Sequence, residues 1–316
     1  MANAFAIAVA AGLANVHAGR RGQNKRRESF TSDEDLSVSI RLTAAQVRLV
    51  AAEYNQWRAQ RNALRPNSAM SFQRMSEFLT YLARGGYFHQ VAMAGGIAKS
   101  TMIMHVREVA EFFAATASQY IALPLPNEFV QLSSPLHYPG NPNMYKVILY
   151  IDGFIVKIQR PDHAGDAYFC GRHGKSCDSI NVQYITDCFG RIRHVITGLS
   201  GATHDKTAAA WSAEFMAFLN QLPVGYVVLG DPAYRGLHPN VITTFTGAHL
   251  TQQQLNFNND CTRLRQIVER TIGAAQLKWR VQQLKDNRLA AKKGVLFAAQ
   301  CTLAAAVLHN RFTNFL

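Results

Sequence analysis

The hydrophobic pattern along the chain changes period once, near its middle. From Thr43, "TAAQVRLVAAEYNQWRAQRNAL" places apolar residues three to four apart among good helix formers, which predicts a helix that "RPNS" at 65–68 breaks. The helical period resumes in "SFQRMSEFLTYLARGGYFHQVAMAGGIAKSTMIMHVREVAEFF". There "AGGIAKS" separates two short helices, with glycines at the turn and Ser100 placed to cap the second. That spacing predicts a small all-α subdomain over 43–120 containing a helix-turn-helix. Its second helix offers Lys99, His105 and Arg107 as a thin set of DNA contacts.

"ALPLP" and "SPLHYPGNPN" together hold five prolines and predict a linker and loop over 121–143. Beyond them the period drops towards two. "YKVILYIDGFIVKI", "INVQYITD" and "RIRHVITGL" read as three neighbouring strands. A helix, "KTAAAWSAEFMAFLNQL", comes next, followed by the strand "GYVVLG" and a loop-rich stretch. Helices at about Thr262 to Arg280 and Leu289 to Phe312 complete the chain. Three strands, a helix, a strand and a helix predict an α/β domain with a mixed sheet over 144–316. Residues 1–42 read as a flexible arm, basic in "GRRGQNKRR" and acidic in "SDED", and no internal repeat occurs.

Charge narrows the class of partner. The 316 residues carry 33 Lys and Arg against 20 Asp and Glu, a net +13, which favours a polyanion. A membrane span is not expected, since the longest uncharged stretch, Met1 to Gly19, is Ala-rich and interrupted by Asn and His. It also lacks the basic start of a secretory signal. The arm reads as a nuclear-localisation or nucleic-acid-binding segment, as a transit peptide, or as a solvated tail. Five cysteines without a CxxC pair point to a reducing compartment and no disulfide framework. Cys170 and His173 have a ligand-like spacing, but no second pair completes a zinc site. "GKS" at 174–176 resembles part of a phosphate-binding loop, but Phe169 stands where that motif needs its first glycine.

Three acids are left as candidate chemistry. Asp152 ends the first strand in "YIDG", Asp231 ends the fourth in "LGDPAY", and Glu269 lies inside the late helix. On that helix Leu264, Val268, Ile272, Ala275 and Trp279 form the apolar stripe, and Glu269 sits at its margin. Each acid has an ordinary alternative. Asp152 before Gly suits a turn, and Asp231 before Pro suits an Asx turn. Glu269 can pair with Arg265, four residues back. Clustered carboxylates repel one another unless a cation lies between them, and hard oxygen ligands select Mg²⁺ or Mn²⁺. Two such ions about 4 Å apart suit phosphodiester chemistry.

The ordered set "YIDGFIVKIQRP", "INVQYITDCFGRIRHVITGLSGATHD", "VVLGDPAY" and "RQIVERTIGAAQLKWR" resembles the DDE nuclease domain of PIF/Harbinger transposases and their domesticated nuclease-like relatives. The likeness covers roughly Tyr138 to Phe315, and the segment around "AGGIAKST" is similar to the helix-turn-helix these proteins carry. The resemblance implies an RNase H-like fold, with Asp152, Asp231 and Glu269 as catalytic and metal-binding triad. Metal-dependent cleavage and strand transfer on double-stranded DNA follow from it. Asp205, in "GATHD", becomes a secondary candidate; Arg172, Lys175 and Arg265 join Lys99 and Arg107 as DNA contacts. A nuclear location with a cytoplasmic pool, a Myb-like DNA-binding partner and a homo-oligomer are compatible with it. The chain departs from the family in "GRHGKS" and in a short gap of 269 − 231 = 38 residues between the last two acids. The competing readings are a domesticated, catalytically silent DNA-binding or scaffold protein, and an RNase H-like nuclease acting on RNA. The deep, narrow major groove of A-form RNA resists a recognition helix, which disfavours the last.

Overall fold

A computed structural model of the chain describes residues 40–61, 71–85, 88–141, 143–161, 166–171, 176–282 and 294–315. The chain divides into two compact units at Phe112 and Phe113, inside one helix.

The first unit is helical: α1 (Ala44–Gln60), α2 (Ser71–Arg84), α3 (Phe88–Gly95) and α4 (Lys99–Thr116). α1 begins where its capping residues put it. The Thr43 hydroxyl accepts from the Gln46 N–H at 3.2 Å, and the Gln46 side chain accepts from the Thr43 N–H at 3.0 Å. Val47, Val50, Tyr54, Phe78, Leu79, Leu82, Met102, Val106 and Val109 fill the interior. Ile40 and Leu42 are buried with them. α3 and α4 flank the turn at Gly96, whose φ of 63° is cheap only for glycine. α4 begins at Lys99, so Ser100 lies in its first turn rather than capping it. Lys99 is exposed, whereas His105 turns inward, its Nδ1 2.6 Å from Glu77 Oε2, and is not presented as a base reader.

The second unit is a mixed α/β sandwich. After α5 (Phe129–Leu132) come β1 (Ser134–His137), β2 (Met144–Lys157), β3 (Phe169–Cys170), β4 (Cys177–Thr186) and β5 (Ile192–Ser200). Next follow α6 (Asp205–Ala210), α7 (Ala213–Gln221), β6 (Tyr226–Gly230), β7 (Val241–Ile242), α8 (Gln252–Lys278) and α9 (Gly294–Phe312). The sheet runs β5–β4–β2–β6–β7, with β1 beside the start of β2 and β3 beside the start of β4. β2 is the pivot, antiparallel to β4 on one side and parallel to β6 on the other. Ile151, Ile185 and Ile196 face a core shared with Ala209, Phe215 and Leu219 of α6 and α7. On the opposite face Gln282, just past α8, donates to the Tyr184 hydroxyl at 2.9 Å. α9 packs against β5 on that face, and His309 is 3.1 Å from the Gly190 carbonyl. The described cysteines are all unpaired, and among the described residues no helix is long and apolar enough to cross a membrane.

Several boundaries differ from expectation. β1 falls within the proline-rich stretch, since Pro135 sits on a short strand that, among the described residues, pairs only with β2. The helix expected over 206–222 breaks in two at Trp211, because the Ser212 hydroxyl accepts from the Phe215 N–H at 3.4 Å and starts a new helix. α8 starts ten residues early, at a second capping box formed by Thr251 and Gln254.

In the helical unit Glu108 accepts from Arg58 at 2.7 Å and from Arg74 at 2.6 Å, and those two guanidinium side chains are only 4% and 10% exposed. Removing the shared carboxylate charge takes an ion pair from each of two buried cations. Glu108→Gln is expected to cost this unit about 3 kcal/mol, seen as a lower urea midpoint by circular dichroism; an unchanged midpoint would show that the network adds nothing.

Candidate active site

Two parallel strands bring the first two acids together. The last matched pair between β2 and β6 is Ile151 with Gly230, and the next residue on each strand is an aspartate. Neighbouring strands lie about 4.8 Å apart, so Asp152 and Asp231 leave the ladder beside each other. β2 itself does not end at Asp152 as expected but runs on to Lys157; what ends is its pairing with β6. Across β4, Asp152 stands opposite Tyr184 and Gly153 opposite Gln183. Successive residues of a strand face opposite sides. Asp152 therefore projects to the α8 face, and Gly153 to the α6 face.

"LGDPAY" is explained residue by residue. A Cβ on Gly230 would stand 3.0 Å from the Tyr234 ring and 3.1 Å from Ile151, so glycine lets Tyr234 fold back over the strand end. Asp231 leaves the strand in an extended conformation, and its Oδ1 accepts from the Ala233 N–H at 3.0 Å. Pro232 occupies the first position of the resulting turn, where a missing N–H costs nothing. Asp231 is thus an Asx-type cap and a strand-tip carboxylate at once.

α8 supplies the third acid and a cation. Val268, Ile272, Ala275 and Trp279 are buried, which leaves Arg265 and Glu269 at the margin of the stripe. The Arg265 Nη2 lies 3.4 Å from Asp152 Oδ2 and 3.3 Å from Glu269 Oε1. The pairing with Glu269 was legible from their spacing; the reach to Asp152 was not.

A fourth carboxylate approaches from the α6 face. Asp205 opens α6, and its Oδ1 accepts from Asn181 Nδ2 at 2.6 Å, while Gln183 Nε2 donates to its backbone carbonyl at 2.8 Å. A Cβ on Gly153 would meet Asp205 Oδ1 at 3.1 Å and the Tyr234 hydroxyl at 3.4 Å. Gly153 is therefore a close-approach glycine within a strand. Asn181, Gln183, Gly153 and Tyr234 escaped the sequence reading. The one signal was two amides alternating with the apolar residues Ile180, Val182 and Tyr184 along β4.

The groups are electrostatically coupled. Burial pushes the Asp152 carboxyl up to about 6; Arg265 and the Gly153 N–H oppose that, and Asp231 and Glu269 add to it. Burial likewise raises Asp231, with Arg265 opposing and Asp205 adding. The Tyr234 phenol is driven well above its usual range by burial and then by Asp205, Asp152 and Asp231. Its hydroxyl is buried without a hydrogen-bond partner among the described residues. Among the described residues no three His, Cys, Asp or Glu side chains form a ready-made metal cage. Lys99 and Arg107 belong to the helical unit, and Arg172, Lys175 and His173 lie outside the described residues.

Comparison with known proteins converges on the same region. The family model described as DDE superfamily endonuclease matches residues 151–310, a span that contains Asp152, Asp205, Asp231 and Glu269. The rat (Rattus norvegicus) and mouse (Mus musculus) proteins described as "Putative nuclease HARBI1" are each 25% identical to this chain, over 234 and 232 residues. Those alignments cover 73% of this chain and 64% of each relative, so the chain spans just under two thirds of the curated relatives' length. No solved structure matches it significantly.

The raised Asp152 carboxyl has a thermodynamic consequence. Its folded value of about 6 exceeds the usual 3.8, so the folded state holds this proton more tightly. The group's favourable contribution is present below about pH 4 and is lost as pH rises through 6. Asp152→Asn is therefore expected to stabilise the metal-free protein at pH 7 by roughly 2–3 kcal/mol and to flatten the pH dependence between 4 and 6. Thermal unfolding in EDTA across that range checks it; parallel curves for both proteins would refute it.

Proposed function

The chain belongs to the DDE superfamily endonucleases of the Harbinger type, and from that premise we propose that it is a divalent-metal-dependent endonuclease cutting the backbone of duplex DNA. The observation that carries this reading is the approach of Asp152, Asp231 and Glu269 from three elements towards one cation, the Arg265 guanidinium. The sheet order supports the RNase H-like assignment, and the helices around Gly96 support the helix-turn-helix.

The residues fit a hard divalent ion by their chemistry. The donors are all carboxylate oxygens, a positive group already lies between two of them, and a buried hydroxyl waits unpartnered beside them. Asp152, Asp231 and Glu269 would hold the ion, with Asp205 nearby. When bound, Mg²⁺ or Mn²⁺ supplies Lewis-acid polarisation of the scissile phosphate and acidifies the attacking water or 3′-hydroxyl.

The chain's own groups set the stage. The Gly153 N–H holds Asp152 Oδ1 at 2.8 Å and the Ala233 N–H holds Asp231 Oδ1 at 3.0 Å, which fixes both carboxylates before substrate arrives. Tyr234 keeps its proton at neutral pH and can donate a hydrogen bond into the centre. Lys206 follows Asp205 and reaches the 232–236 loop, lying 3.4 Å from where a Gly236 Cβ would stand, a position from which it can meet a phosphate. The +13 balance favours the DNA polyanion and predicts strong salt dependence of binding.

Nicking of supercoiled plasmid tests the proposal. Wild-type protein is expected to nick with Mg²⁺ or Mn²⁺ and to stop with EDTA. Asp152→Asn, Asp231→Asn and Glu269→Gln are each expected to lose about a thousandfold in rate with unchanged circular dichroism. Cleavage that survives EDTA or Asp231→Asn would sink the proposal. Intact duplex binding without cleavage would instead favour the silent DNA-binding reading.

A further inference from the structure

Arg265 is a loosely satisfied charge in the centre. Its side chain is 14% exposed, yet its Nε is buried without a hydrogen-bond partner among the described residues. A single nitrogen, Nη2, serves both Asp152 and Glu269, at 3.4 and 3.3 Å. Arginine–carboxylate contacts ordinarily close to about 2.7–2.9 Å. The tightest pairs of this chain do: Arg58 and Arg74 reach Glu108 at 2.7 and 2.6 Å, and Arg193 reaches Glu128 at 2.6 Å, whereas Arg160–Asp178 and Arg193–Asp187 stay as loose as the pairs of Arg265, at 3.4 and 3.8 Å. The guanidinium at the centre bridges two acids and grips neither.

Charge explains why that arrangement is provisional. Asp152 feels Asp231 and Glu269, Asp231 feels Asp205, and Tyr234 feels all three aspartates. Arg265 opposes the raised values of both Asp152 and Asp231, but one positive charge does not balance four acids. A divalent ion brings twice the charge, and its attraction is for the same two carboxylate groups that the guanidinium faces. Two cations that need the same ligands exclude each other, and the exclusion is a coupling free energy between them.

We propose that Arg265 is a displaceable counter-cation: its guanidinium bridges Asp152 and Glu269 in the metal-free protein, competes with the divalent ion for them, and moves off when the ion binds. This rests on the reading of Asp152, Asp231 and Glu269 as the metal ligands. The arginine holds α8 against the end of β2 while the metal is absent, and it lowers the affinity of the site for metal. Such a role requires no DNA, which separates it from a phosphate contact.

The test is Mn²⁺ binding to metal-free, full-length protein without DNA, followed by the electron paramagnetic resonance signal of the free ion. Arg265→Gln is expected to bind Mn²⁺ about tenfold more tightly than wild type and to melt earlier in EDTA. Asp231→Asn is expected to lose the binding, which locates the ion. Arg265→Lys keeps the charge without the planar fork and is expected to fall between wild type and Arg265→Gln. It carries the test if Arg265→Gln does not fold. Unchanged or weaker Mn²⁺ affinity in the arginine variant, with wild-type binding intact, overturns the counter-cation and leaves the ligand assignment standing. Absence of Mn²⁺ binding in both proteins overturns the assignment and the counter-cation together.

Discussion

The register between β2 and β6 is the constraint on which the candidate site depends. Parallel strands carry equivalent residues to the same height, so pairing Ile151 with Gly230 places the following aspartates next to each other. A one-residue slip would send Asp231 past its partner and exchange the β6 side chains between two packed faces. That slip is opposed by packing: Val227, Val228 and Leu229 are essentially inaccessible, and Gly230 leaves room only for the ring of Tyr234. The chemistry is therefore positioned by hydrophobic burial rather than by polar contacts among the acids themselves. Those acids repel, and would separate if the sheet allowed it.

Holding repelling groups together raises the free energy of the metal-free state, and the molecule limits that cost by distributing the acids. Asp152 lies on the α8 face with Arg265, whereas Asp205 approaches from the α6 face and is held by Asn181 and Gln183. Asp231 stands at the strand tip, its Oδ1 satisfied by the turn it caps. Arg265 contacts Asp152 and Glu269 directly and acts on Asp231 through its charge alone. The buried amides of β4 are a second expense, since each must find hydrogen-bond partners away from water. Their amide N–H groups find them in the Thr203–Asp205 segment, which ties the loop after β5 to the centre of the sheet.

Much of this was legible in the sequence, for reasons that also define what was not. The strands through Asp152 and Asp231 and the stripe of α8 are carried by periodicity, which burial enforces directly. Thr43 and Gln46 announce their helix because capping is local chemistry. β1 and β7 are too short for periodicity to register, and Pro135 argues against a strand unless its edge position is known. The start of α8 was missed because "QQQLNFNNDC" is polar and rich in Asn, a weak helix former, which hid the Thr251–Gln254 capping box that begins it. Gly153 reads as a turn in sequence; only the three-dimensional approach of Asp205 shows why a strand needs it. The Arg265–Asp152 contact joins residues 113 apart, a relation no local pattern encodes.

The short gap between Asp231 and Glu269 raises the question of how the third acid is held without an insertion to support it. The answer lies in the length of α8. Its 27 residues span about 40 Å, and Glu269 lies in its second half. The first half is anchored elsewhere: Phe257 packs against Tyr138 and Phe245, with ring centres 5.1 and 5.3 Å away. The Asn258 side chain accepts from the Phe245 N–H at 2.8 Å and donates to its carbonyl at 2.9 Å. At the far end Trp279 is fully buried. A helix fixed at both ends leaves its middle little freedom, so the rotation that presents Glu269 and Arg265 to Asp152 follows from the aromatic and amide anchors. A structured insertion is then unnecessary for positioning the acid, and its absence does not argue that the centre has decayed.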